Sequence, residues 1–161
     1  MCSILGITQR KKEVVPMLVV LDQLDWLKDL FYKNKKWFPH IRSDYLKRKV
    51  LSGCVYTKYG VAVVFTRYKR KQKIGTAYAL ANDVCIHQIV ATAKGDGSAT
   101  KAIQDFFNYV DREVEGCAVF LSVREENGRA RGFYEKVGMM EVGFISWKKS
   151  TIHGRVYAKI K

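Results

Sequence analysis

The stretch from Asp83 to Val123 constrains the fold of this chain more than any other. Asp83–Ala91 is rich in β-branched residues and reads as a strand. Gly95-Asp96-Gly97-Ser98 breaks that pattern and offers a helix cap at Ser98. From Ala99, apolar residues at Ala102, Ile103, Phe106, Phe107, Val110 and Val114 recur at three- and four-residue steps, which predicts an amphipathic helix. Gly116 ends it, and Cys117–Val123 is a continuous apolar run of strand length, as expected of a strand buried on both faces. A strand, a helix and a buried strand in succession commit the chain to a sheet with a helix packed on it.

The flanking segments fit the same plan. After Pro16, Met17, Leu18, Leu21, Leu24, Leu27 and Phe31 follow helical spacing, and Lys33-Asn34-Lys35-Lys36 ends that helix. Asp44 is placed to cap a short second helix running to about Leu51. Val55–Tyr59 and Val61–Tyr68 read as strands joined at Gly60, with Lys69–Lys73 as a basic loop and Thr76–Ala81 as a further strand. Downstream, Ala130, Phe133, Tyr134 and Val137 share one helical stripe, and Gly138 suits its left-handed C-terminal cap. Glu141–Trp147 and Arg155–Ile160 complete the pattern as paired strands, with His153-Gly154 near the turn. No repeat, low-complexity tract or linker divides the 161 residues, so residues 1–161 are expected to form a single mixed α/β domain.

Charge is distributed unevenly. The chain carries +14, and residues 28–73 hold fourteen Lys and Arg against two Asp and Glu, a net of +12. Such a local excess points to an anionic partner, nucleic acid or a phosphorylated ligand. Val14–Leu21 is too short to span a bilayer and lacks a signal-peptide cleavage pattern, so no membrane association is expected. Cys2, Cys54, Cys85 and Cys117 are scattered, without zinc-ligand spacing. Three lie in apolar surroundings that suit buried thiols. A reduced, soluble, cytoplasmic protein with no metal is the expectation.

The strand, glycine loop and helix of residues 84–114 could also carry chemistry. Glycines let backbone approach a ligand closely, and first-turn amides with the helix dipole favour an anion such as a pyrophosphate. A plain strand-to-helix turn would use the same residues. The loop is not a P-loop, because the GKS/T ending is absent, and G-x-G-x-x-G is incomplete.

Downstream, Leu121-x-Val123-x-x-x-Asn127-x-x-Ala130-x-x-Phe133-Tyr134-x-Lys136-x-Gly138-Met139 resembles the second half of the GNAT family of acetyl-CoA-dependent N-acetyltransferases. At the matching distance upstream, Thr92-x-x-Gly95-x-Gly97 resembles that family's pyrophosphate loop, usually written Q/R-x-x-G-x-G/A. Thr92 stands where the family usually has Gln or Arg. The resemblance covers roughly residues 83–147. It implies a GNAT-like domain with a central mixed, mostly antiparallel sheet flanked by helices, acetyl-CoA as cofactor, and direct attack by an acceptor amine without an acyl-enzyme. Residues 83–147 would form the acyl-CoA-binding core. The backbone of Ile89, Val90 and Ala91 would pair with the pantetheine arm. Lys94, Gly95, Asp96, Gly97, Ser98 and Ala99 would hold the pyrophosphate, and Asn127 would contact the cofactor or its bound water. Tyr134 would protonate the departing thiolate as general acid, and His87 would face the acetyl group as a candidate base.

Each role has a plainer counterpart. On spacing alone Tyr134 is a core aromatic, Asn127 a helix cap and His87 a partly buried, hydrogen-bonded histidine, with a water chain as base. Asp83, Glu125 and Glu126 are weaker base candidates, and Arg124 either recognises substrate or faces water. In GNAT proteins the N-terminal helices and first strands wall the acceptor site, which here is the basic residues 28–73. Cations interleaved with aromatics there suit phosphate contact with base stacking, which would make the acceptor nucleic acid or a nucleic-acid-bound protein. Trp37-Phe38-Pro39-His40-Ile41-Arg42-Ser43-Asp44-Tyr45 is similar to a segment of phage-encoded GNAT-like proteins. It marks His40, Arg42, Asp44 and Tyr45 as acceptor-side candidates, or as residues that merely turn and cap the second helix. If the chain is phage-encoded, the cytoplasm in question is the host's. Two alternatives stand beside acetyl transfer: nucleobase modification of the Mom type on the same fold, and a non-catalytic scaffold binding nucleic acid or a host protein.

Overall fold

Residues 17–160 are described by a computed structural model. Helix α1 spans Met17–Lys33 and buries Leu24, Leu27 and Phe31 of the stripe its spacing predicts, with Leu30 beside them, while the side chains of Met17, Leu18 and Leu21 lie outside the described residues. Pro16, expected at its start, lies outside the described residues. Helix α2, Ser43–Leu51, buries Leu46 and Val50. Its N-cap is Arg42, with no side-chain capping bond. Asp44 therefore does not cap it; two residues past the cap, it falls within the first turn and faces Arg48 at 3.8 Å.

Strands β1 (Val55–Lys58) and β2 (Val61–Arg67) form a hairpin whose two turn residues, Tyr59 and Gly60, are both left-handed at φ 54° and 70°, as a tight two-residue β-turn demands. A second small hairpin pairs β3 (Gln72–Ile74) with β4 (Ala77–Ala79). Strand β5 (Val84–Ala91), helix α3 (Ser98–Glu113), strand β6 (Val119–Arg124) and helix α4 (Gly128–Lys136) follow. Strands β7 (Met140–Trp147) and β8 (Ile152–Lys159) close the chain. Their turn is Lys148–Thr151, with three consecutive non-glycine residues at positive φ, so His153 and Gly154 lie within β8 and not at the turn. Gly154 is needed instead because a Cβ there would meet the Trp147 ring at 2.6 Å.

The main sheet has six strands in the order β1-β2-β5-β6-β8-β7. All neighbours are antiparallel except β5 and β6, which run parallel and pair only at Val84–Val119 and Cys85–Phe120. Because side chains alternate across a strand, β2 and β5 each serve two cores. Val63, Phe65, Val84 and Ile86 face α3 and α4, packing on Ile103, Phe106 and Val137. On the opposite face Ala62, Val64 and Val90 pack under α1 and α2, while Cys85 and Phe120 lie under the β3–β4 hairpin with Ile74 and Ala79. The parallel junction is pinned by Asp83. This carboxylate is not solvated but buried, accepting the Leu80 amide at 2.7 Å and the Ala118 amide at 2.9 Å. Cys85 and Cys117 are free thiols; Cys54 is not, being disulfide-bonded.

Candidate functional site

Beyond Cys85 and Phe120 the two parallel strands diverge, since their register ends there. The opening between β5 and α4 is a cavity of about 770 Å³. One wall is the β5 edge, His87–Ala91, whose other side is already paired with β2. In a strand, alternate residues present their amide and carbonyl groups to each side, so the free edge can pair with an extended amide chain.

The floor continues into the loop at Lys94–Gly97 and the start of α3. Gly95 and Gly97 have φ of 78° and 81°, and a Cβ on either would point into open space. Glycine is thus required there by backbone conformation, leaving the loop's surface bare for a ligand. The first bond within α3 runs from the Lys101 amide to the Gly97 carbonyl, which leaves the earlier amides without helical partners. One is taken: Asp96 accepts from the Ser98 amide at 2.9 Å. Hydrogen bonds from Ser98 hold the Asp96 carboxyl below the usual carboxylate range. Ser98 is therefore neither the N-cap, which is Gly97, nor part of the cavity lining. Ala99 and Thr100 line it in its place, with Lys94, Arg129 and Lys136 supplying positive charge.

Across the groove, Asn127 caps α4, its Oδ1 accepting the Ala130 amide at 3.1 Å, while the residue also lines the cavity. Capping therefore occupies the amide oxygen and leaves the Asn127 nitrogen for a ligand. Tyr134 packs against Phe133 and Tyr157, at ring distances of 5.5 and 6.3 Å, and its hydroxyl has no hydrogen-bond partner among the described residues. Burial raises its pKa, so it stays a phenol. At the rim the exposed ring of Trp37 carries Lys36 and Lys94 at 5.3 and 5.4 Å from its centroid, the latter reaching over from the glycine loop.

A second cavity of about 490 Å³ adjoins, lined by His40, Ile41, Arg42, Tyr45, Lys49, Thr66, His87 and Gln88. His87 and Gln88 are common to both cavities. Lys49 Nζ donates to the Phe65 carbonyl at 2.9 Å and to Thr66 Oγ1 at 2.6 Å, and that hydroxyl lies 2.7 Å from His87 Nε2. His87 keeps an exposed edge toward the cavities. Desolvation of its ring, aided by the Lys49 charge, nevertheless pushes its pKa down to about 4, so it is neutral near pH 7. Tyr45 donates its hydroxyl to Gln88 Oε1 at 2.9 Å.

The structure thus gathers His87, Ile89, Val90, Ala91, Lys94, Gly95, Asp96, Gly97, Ala99, Asn127 and Tyr134 around one cavity, and His40, Arg42 and Tyr45 around its neighbour. Asp44 and Arg124 line neither; Arg124 faces Glu126 at 3.8 Å. Sequence reasoning missed Trp37 as a rim residue, Lys49 and Thr66 as hydrogen-bonded to each other and through Thr66 to His87, and Gln88 as the partner of Tyr45. Arg42, Tyr45 and Lys49 follow a three- and four-residue step, a helical face that could have been read. Among the described residues no cluster could hold a metal ion, and no helix is long and apolar enough to cross a membrane.

No protein-family model matches the chain, and no curated protein matches it by sequence. Solved structures do. Arabidopsis thaliana NAA60 in complex with acetyl-CoA is 16% identical at a TM-score of 0.64, covering 85% of this chain and 95% of its own. The NatC complex bound to Gag peptide and CoA contains a chain 17% identical, at 0.61, covering 86% and 91%. A GNAT-family acetyltransferase from Streptococcus agalactiae is 12% identical, at 0.57, covering 93% and 94%. The protein has the fold of these acetyltransferases, a mixed α/β domain with a mostly antiparallel sheet.

Proposed function

We propose that the protein is an acetyl-CoA-dependent N-acetyltransferase that passes acetyl to an amine by direct attack. One observation carries this reading: the groove opened by the parting of β5 and β6 runs from the bare glycine loop to Tyr134 and His87. The residues fit the cofactor. The free β5 edge suits an amide-bearing arm, the Ala99 and Thr100 amides suit a pyrophosphate, and Lys94, Arg129 and Lys136 suit its charge. When bound, acetyl-CoA supplies an acyl carbonyl and a thiolate leaving group.

The chain's own groups then divide the proton work. Tyr134, kept protonated by burial and free of competing hydrogen bonds, can give its proton to the departing sulfur. His87 is neutral and stands at the wall between the cavities, where it can accept the amine proton directly or through water. No step needs a nucleophilic cysteine. Calorimetric titration of acetyl-CoA, followed by acetyl-transfer assays on an amine panel, tests the reading. Micromolar binding with turnover is expected, and no binding would sink it.

The acceptor's approach lies on the basic side of the molecule, consistent with a nucleic-acid-associated substrate. Lys35 sits 4.7 Å from the Tyr32 ring centroid and Lys71 4.6 Å from that of Tyr78, both rings exposed. Such cation-and-ring surfaces can contact phosphates and stack on bases. The basic set is smaller than the sequence implied, because Arg67 is buried, donating to the Asn82 carbonyl at 2.7 Å. DNA and RNA binding should fall steeply with salt; a flat dependence removes nucleic acid from the proposal. A nucleoside mass shift without acetyl transfer moves it to base modification. Nucleic-acid binding without acetyl-CoA binding moves it to a scaffold.

A further inference from the structure

The second cavity is cationic and has no internal counter-charge. Arg42 and Lys49 line it together with His40, and no carboxylate does. The carboxylate of α2 itself, Asp44, is engaged by Arg48 at 3.8 Å and lies outside the lining. The half-buried Lys49 ammonium is held by a carbonyl and a hydroxyl, both neutral, and Arg42 has no ion-pair partner among the described residues. Removing an ammonium partly from water without a counter-ion is unfavourable, and an arriving anion relieves that. Burial already pushes the Lys49 pKa down, as expected for a cation without a counter-charge.

Neutral donors complete the arrangement. Tyr45 occupies Gln88 Oε1, which fixes the amide and leaves its N–H groups available to an acceptor atom. A guanidinium, an ammonium and an amide suit the several lone pairs of one oxyanion. His87 and Gln88 also line the cofactor-sized cavity, so an anion held here would sit within a few bonds of the reacting amine.

We propose that this second cavity is an oxyanion subsite, and that the acceptor is an amine bearing a phosphate or carboxylate group a short distance away. This rests on the acetyltransferase reading for its chemistry but not for its anion.

The test uses the full chain in two arms. In the first, acetyl transfer is measured on matched pairs: O-phosphoethanolamine against ethanolamine, and 4-aminobutyrate against butylamine. The anionic member is expected to have at least about tenfold higher kcat/KM, reflecting one charge-assisted contact. That preference should vanish in Arg42→Gln and Lys49→Gln, and the better pair tells phosphate from carboxylate. Equal or better turnover of the neutral amines overturns the proposal. The second arm needs no turnover. With CoA saturating the glycine loop, inorganic phosphate should raise Tm above a chloride control of equal ionic strength, and Arg42→Gln should abolish the rise. No rise, or the same rise in Arg42→Gln, overturns the subsite. A failure to bind CoA strikes the transferase reading alone, since the phosphate titration, run then without CoA, still reports on Arg42.

Discussion

Thr92 donates its hydroxyl to the Gly60 carbonyl at 2.7 Å, and its backbone N–H reaches the same oxygen at 2.9 Å. The first position of the glycine loop is thereby latched to the β1–β2 turn. A short side chain thus ties down that end of the loop. Thr92→Val keeps the shape and deletes one hydrogen bond, worth about 1 kcal/mol. Acetyl-CoA affinity should fall about threefold to tenfold, with kcat at saturation unchanged. Calorimetry with unaltered affinity would show that the latch does not order the loop.

Asp96 places a negative charge at the start of α3, beside the amides proposed to hold pyrophosphate. Asp96→Asn keeps an acceptor for the Ser98 amide and removes the charge. Acetyl-CoA should bind several-fold more tightly at low salt, the gain shrinking as salt screens it. Gly97→Glu is the opposite test, adding strain at φ 81° and an anion to the loop, and binding should be lost.

Tyr134→Phe removes a hydroxyl with no hydrogen-bond partner among the described residues, so stability and acetyl-CoA affinity should hardly move. If the phenol protonates the leaving group, kcat should drop about a hundredfold or more. Unchanged turnover would assign that proton to water.

His87 carries the pH dependence. Its native pKa is about 4, whereas the unfolded chain takes up this proton around the ordinary value of 6.5. Between those values the unfolded state holds more protons, so stability is full above about pH 6.5 and declines as pH falls toward 4. His87→Gln should flatten that part of a denaturation-versus-pH series. The acid limb of kcat/KM should likewise lie nearer pH 4 than 6.5 if His87 is the base. Lys49→Gln removes the nearby cation and should move the limb upward.

Asp83→Ala strips the acceptor from two backbone amides at the β5–β6 junction. Urea unfolding should register a loss of about 3 kcal/mol. A loss under 1 kcal/mol would mean that water replaces the carboxylate there.

The cofactor-sized groove was legible because its parts are local in sequence. Glycines at 95 and 97, the helix after them, and Asn127 with Tyr134 on one short helix each follow from neighbouring residues. Ser98 reads as the cap in sequence, but the left-handed Gly97 is the N-cap and Ser98 is the first helical residue, its own amide donating to Asp96; spacing cannot show which residue turns into the helix. The Lys49–Thr66–His87 set was hidden for another reason: its members lie 17 and 21 residues apart. They meet only once α2 packs on the sheet and β2 pairs with β5, a register that includes a shift between Val64 and Phe65. Arg67 and Asp83 show the same limit for charge, since each reads as surface in sequence and is buried in the fold.

The two paired positions between β5 and β6 make the sheet two half-sheets joined at one corner. An extended ligand lying in the gap would act as a surrogate strand, completing hydrogen bonds that the protein leaves open. Binding and cohesion then become one equilibrium: saturating the groove at about a hundred times Kd would add about 2.7 kcal/mol of resistance to unfolding. If acetyl-CoA binds as proposed, it would serve as mortar for the domain as well as reagent, and the unliganded protein would be the looser of the two states.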